Sequence, residues 1–181
     1  MLRFPVFFLA LVPLCAQSKN PVTDEFRAGY EGLKKNLLAT AERMPEERYS
    51  FRPTPEIEAF GRRVAHIANG NYGTCTGLEG QGKALNAQTR TSKADLIAAL
   101  RESFAVCDRV LAALTDANAF DMTDAWLGQP PARGPKRSRI GQINGLLLHC
   151  AELYGYGRLP EAQRGGPSHH ATLSRGGLHL C

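Results

Sequence analysis

Apolar side chains recur at helical spacing in four separated stretches of this chain, and no stretch shows convincing strand alternation. In the first, Phe26, Tyr30, Leu33, Leu37 and Met44 form a stripe at intervals of three, four and seven. Thr23 is the expected N-cap, with Asp24 and Glu25 in the first turn, where the helix dipole favours acids. Met44-Pro45 ends this helix, because the residue before proline is pushed out of the α region. Prolines at 45, 53 and 55 then impose an extended loop, expected to be pinned to the protein by Tyr49 and Phe51. The second helix is predicted over Phe60–Leu78 and buries Val64, Ile67 and Tyr72. Gly70, Gly73 and Gly77 lower its intrinsic helicity, so packing must hold its C-terminal half. A polar linker, Glu79–Arg90, leads to Ser92, which with Asp95 three residues on resembles a capping box. The stripe Leu96, Leu100, Phe104, Cys107, Leu111 and Leu114 follows. Residues Asp116–Ser138 are rich in Pro, Gly and polar side chains and read as a long connection anchored by Trp126. The fourth helix begins near Arg139 and carries Ile140, Ile143, Leu147 and Tyr154. Four helices without repeats imply an all-α four-helix bundle, and 181 residues suit one domain.

The first residues read differently from the body. Arg3, the apolar run Val6–Leu14 and the small-x-small triplet Ala16-Gln17-Ser18 make an export signal over residues 1–18. The mature protein is therefore expected in the periplasm or outside the cell. The apolar run is too short for a stable bilayer span. Cys15 raises a lipid anchor as the lesser reading, which bulky Leu14 disfavours. The net charge of +5 is spread over interspersed acids and bases, apart from the cluster Arg133, Lys136, Arg137 and Arg139. No aromatic residues are interleaved with that cluster, so nucleic acid is not an expected partner. Cys75 and Cys107 either pair across adjacent helices in an oxidising compartment or remain small buried thiols. The two readings stand even.

The candidate chemistry lies in the second and fourth helices. FGRRVAHIANGNYGTC (Phe60–Cys75) and GQINGLLLHCAELYGYG (Gly141–Gly157) each set one histidine, His66 and His149, on an otherwise apolar face. Two histidines four apart on one helix with a third from a facing helix would make a three-nitrogen metal site with an open fourth position. Here the residue four beyond His149 is Leu153. Cys150 lies about 100° around the helix from His149, and Glu152 also points elsewhere. Asn69 reads either as a residue that orients a ligand or as a surface asparagine.

The segments Met44–Glu47, Tyr49, Phe51–Glu56, Phe60–Ala68 and His149–Gly155 resemble the DinB/YfiT-like superfamily, in particular its exported members. The resemblance covers most of residues 20–157. It implies a four-helix bundle holding a divalent metal, commonly zinc or nickel, by one histidine of helix two and two of the last helix. His66 and His149 match two of these ligands, and Leu153 stands at the third. Characterised relatives include thiol-dependent transferases and hydrolases. The implied function is therefore that of an exported protein with a degenerate metal site, a metal-dependent hydrolase or thiol transferase. The alternative is a non-catalytic binding or structural module that has lost its metal. No general base stands out, so catalytic residues are unassigned. A homodimer and an unidentified small-molecule substrate are the expected partners.

The domain is expected to span residues 19–157, followed by an irregular tail, residues 158–181. That tail contains His169, His170, His179 and Cys181 but no helical stripe. From Leu159 its codons can be chosen so that reading one base later gives YLRLKGVVPPTT, which is the helix continuation and Pro-Pro ending that the resemblance implies. A frame change near Gly157 would strip the tail's histidines of functional meaning.

Overall fold

The computed structural model describes residues 18–124, 131–132 and 134–157. The expected export signal through residue 17, with Cys15, and also Trp126, Arg133 and the tail from residue 158 lie outside the described residues. Four helices make up the fold: α1 (Pro21–Arg43), α2 (Phe60–Leu78), α3 (Lys93–Ala113) and α4 (Arg139–Gly157). They enclose one core, to which Tyr30, Leu37, Phe60, Val64, Ile67, Leu100, Phe104, Leu111 and Ile143 contribute. The expected all-α bundle is therefore the observed architecture. Among the described residues no helix is long and apolar enough to cross a membrane.

The connection after α3 contains an element that the sequence pattern did not reveal. Strands β1 (Met122–Thr123) and β2 (Arg137–Ser138) pair antiparallel, Met122 opposite Ser138 and Thr123 opposite Arg137. Two residues are too few to show an alternation. The Arg139 N–H then donates to the Asp121 carbonyl at 3.0 Å and that of Ile140 to Ala119 at 2.8 Å, which sets the start of α4.

The start of α1 also differs from expectation. Pro21 occupies the first turn, where its missing N–H costs nothing, and Thr23 lies inside the helix, fully buried. The cap comes from far along the chain. The Asp116 carboxylate accepts from the N–H groups of Val22 at 3.1 Å and Thr23 at 2.8 Å. Asp116 in turn donates its own N–H to Asn20 Oδ1 at 3.0 Å. Desolvation pushes the Asp116 pKa up, but these backbone donors and nearby Arg27 outweigh it and leave it lowered. The cap of α3 is local, as expected: Ser92 Oγ accepts from the Asp95 N–H at 3.1 Å.

The loop between α1 and α2 is held at both ends. The buried Tyr49 hydroxyl donates to the Ala41 carbonyl at 2.7 Å. The Tyr49 and Phe51 carbonyls accept from Gly61 N–H at 2.8 Å and Phe60 N–H at 3.0 Å, serving orphan donors of the first turn of α2. A side chain at Gly61 would stand 3.1 Å from the Tyr49 ring and 3.2 Å from Leu96, so this contact relies on glycine.

The C-terminal half of α2 is enclosed on every side: Asn71 and Gly73–Leu78 are all buried, though Tyr72 only partly so. Cys75 and Cys107 form a disulfide between α2 and α3, their Cα atoms 5.1 Å apart. Cys150 on α4 remains a buried thiol that donates to Asn71 Oδ1 at 3.1 Å.

Candidate metal centre

His66 and His149 meet where the N-terminal half of α2 crosses α4. Their Nε2 atoms are 3.1 Å apart, with ring centroids 5.2 Å apart and planes tilted by 52°. His66 is exposed, and His149 is half-buried with its ring against Gly70 of α2. Burial lowers the His149 pKa below its usual value and the neighbouring His66 adds to this, while Glu152 opposes them. At neutral pH His149 thus offers a lone pair rather than a charge.

Two imidazole nitrogens bound to one tetrahedral zinc at about 2.0–2.1 Å lie roughly 3.3–3.4 Å from each other. The observed 3.1 Å is a hydrogen-bond contact between the two rings and lies just inside that edge, so the distance between the two nitrogens is compatible with two positions of a metal site. Among the described residues no group of three or more His, Cys, Asp or Glu side chains assembles to hold a metal. Leu153 is partly buried and lines a small apolar cavity of about 20 Å³ with Leu37, Phe60, Val64, Ile67 and Leu100. Glu152 is exposed. Burial pushes the Cys150 thiol up to about 12, which removes the thiolate a metal needs.

Asn69 takes neither of the roles considered from sequence. Its Oδ1 accepts from the buried Ala87 N–H at 2.8 Å and its Nδ2 donates to Gln88 Oε1, clamping the linker onto α2. The linker tightens there into a single turn, Ala87–Thr89. The basic cluster also divides. Lys136 and Arg137 are exposed, whereas Arg139 turns back to donate to the Leu78 carbonyl at 3.4 Å, at the end of α2.

Sequence reasoning missed the surface beside His66. Glu58, Arg62, His66, Asn69 and Gln88 line an open polar groove of about 190 Å³. Arg62, His66 and Asn69 stand four and three apart on one face of α2, a spacing that could have flagged them. Gln88 joins from a different element, which the spacing could not show. Arg63, next in sequence, turns inward instead; it is buried, with its guanidinium 5.2 Å from the centre of the Tyr156 ring.

Comparison with known proteins agrees with this arrangement of helices. A crystal structure of a DinB-like protein from Bacillus cereus superposes with a TM-score of 0.63 at 16% identity, covering 80% of this chain and 95% of that one. At that identity the likeness establishes the fold alone. No curated protein matches the chain. The profile of the DinB superfamily matches residues 30–152, most of the described bundle. The chain belongs to the DinB superfamily.

Proposed function

We propose that this protein binds a divalent metal weakly through His66 and His149 and is an exported hydrolase of an unidentified small molecule. The observation that carries the reading is the approach of two Nε2 atoms to 3.1 Å on rings supplied by different helices. A bound zinc or nickel ion would act there as a Lewis acid and lower the pKa of a bound water. His149 supports this because burial, and after it the neighbouring His66, disfavours its imidazolium and lowers its pKa below the ordinary histidine value. His66, being exposed, keeps the corner open to solvent and to a substrate.

Hydrolysis is favoured over thiol transfer by two considerations. The free thiol of the described residues, Cys150, is buried and held protonated, so it is no nucleophile. A transferase would need a thiol from outside, and low-molecular-weight thiols belong mainly to reducing compartments. The Cys75–Cys107 disulfide supports a location outside the cytoplasm, where such bonds persist.

A second reading rests on Leu153. Its side chain belongs to an apolar cavity, the arrangement expected of a bundle that serves as a binding or structural module without metal. Titrating purified mature protein with zinc and with nickel, by calorimetry, separates the two. Stoichiometric uptake that disappears in His66→Ala supports the metal reading. No uptake of either ion sinks it and leaves the second.

A further inference from the structure

The groove beside His66 brings together opposite charges that do not meet. Glu58 and Arg62 both line it and both are exposed. Among the described residues neither enters an ion pair. Arg62 spends Nη1 on the Gln88 carbonyl at 2.9 Å, which fixes the guanidinium over the groove while its other donors remain. The Asn69 and Gln88 side-chain amides are joined to each other, and Asn69 also holds Ala87. The polar amides of the groove are thus tied up with one another and with the linker backbone. About 190 Å³ is room for a small molecule rather than for a single water.

We propose that this groove binds a small zwitterion of the α-amino acid class, its carboxylate on Arg62 and its ammonium on Glu58. A planar guanidinium held at one corner presents paired N–H groups to a carboxylate. The Glu58 carboxylate supplies the complementary acceptor for an ammonium. A ligand with only one charge gains one partner and is repelled by the other, so the pair selects for molecules that carry both. His66 stands one helical turn from Arg62, which places the remainder of a bound zwitterion beside the His66–His149 corner. The binding site rests on Glu58 and Arg62 and needs no metal; only its use as a substrate site depends on the metal reading.

The test is an NMR titration of the mature protein with L-alanine, acetate and methylammonium, each with and without zinc. L-alanine should bind at least roughly tenfold more tightly than either single-charge fragment, with shifts centred on residues 58–69 and 86–89. Glu58→Gln and Arg62→Gln should each weaken it at least fivefold. The swapped double variant, Glu58→Lys with Arg62→Glu, should recover most of the affinity, a rescue that a merely structural role would not give. Equal affinity for the zwitterion and its fragments overturns the proposal, as does indifference to both single variants. L-alanine binding that requires zinc and survives Glu58→Gln places the ligand on the metal, which overturns the groove and leaves the metal reading standing. Binding that persists in His66→Ala without zinc uptake supports the groove independently of the metal.

Discussion

The two halves of α2 serve opposite ends. Its N-terminal half carries the stripe Arg62, His66 and Asn69 toward an open groove, while Asn71 and Gly73–Leu78 are shut in. The half with poorer intrinsic helicity is the enclosed one. Gly73 and Gly77 lie there, and a disulfide, α3 and α4 supply what propensity does not. The N-terminal half also buries Phe60, Val64 and Ile67, but it leaves one face, with Arg62 and His66, exposed to solvent. One helix thus joins a fully enclosed half to a half with one open face, and the two are expected to respond separately to substitution.

The largest expected effect falls on the enclosed half. Replacing Cys75 and Cys107 together by serine opens a loop with a sequence separation of 32. Chain-entropy reasoning for that loop gives a loss of about 3–4 kcal/mol in denaturant unfolding, with zinc affinity per folded molecule unchanged. A change in zinc affinity of the same size would break the division between the halves.

Next in size is Leu153→His. It removes a partly buried apolar side chain from the cavity with Leu37, Phe60 and Ile67, and should lower metal-free stability by about 1–2 kcal/mol, less than the loss of a fully buried leucine. Calorimetry should show zinc affinity rising by roughly tenfold or more as a third imidazole becomes available. Lost stability without gained affinity would mean that residue 153 faces only the cavity.

Asn69→Ala tests the open half alone. It leaves the buried Ala87 N–H without its acceptor and should cost about 1 kcal/mol. Faster amide exchange should be confined to residues 86–89, with Cys75–Leu78 unaffected.

The smallest effect is a pH slope. His149 has a depressed pKa in the folded protein, so the unfolded chain binds its proton first as pH falls. Its contribution to metal-free stability is full above its ordinary value near 6.5 and is lost between that value and the lower folded one. His149→Gln should flatten the fall of unfolding midpoints as the pH drops below His149's ordinary value near 6.5. An unchanged slope would show that burial of this ring does not govern the corner.

Local chemistry was legible in the sequence, and long-range chemistry was not. The limits of α2 and the Ser92 cap follow from residues within four positions of each other. The α1 cap could not be read that way, because Asp116 lies 94 residues from Val22 and nothing near Thr23 announces it. Asn69 shows the same limit: its spacing on α2 was visible, but its partners Ala87 and Gln88 sit in a segment that reads only as polar linker. The approach of His66 to His149 was an expectation drawn from a resemblance, since two histidines 83 residues apart carry no local sign of meeting. The turn of Leu153 into a cavity depends on α1 and α3 as well, so four-residue spacing from His149 was too little to place it.

The covalent link between Cys75 and Cys107 has a consequence beyond folding energy. It makes the end of α2, the whole linker and most of α3 into a closed ring, with Gln88 of the groove wall inside it. A protease that cuts the exposed stretch around Gly80 and Gln81 would therefore nick the molecule without parting it. The two pieces would travel together on a denaturing gel until a reductant is added, and the groove would keep both of its sides.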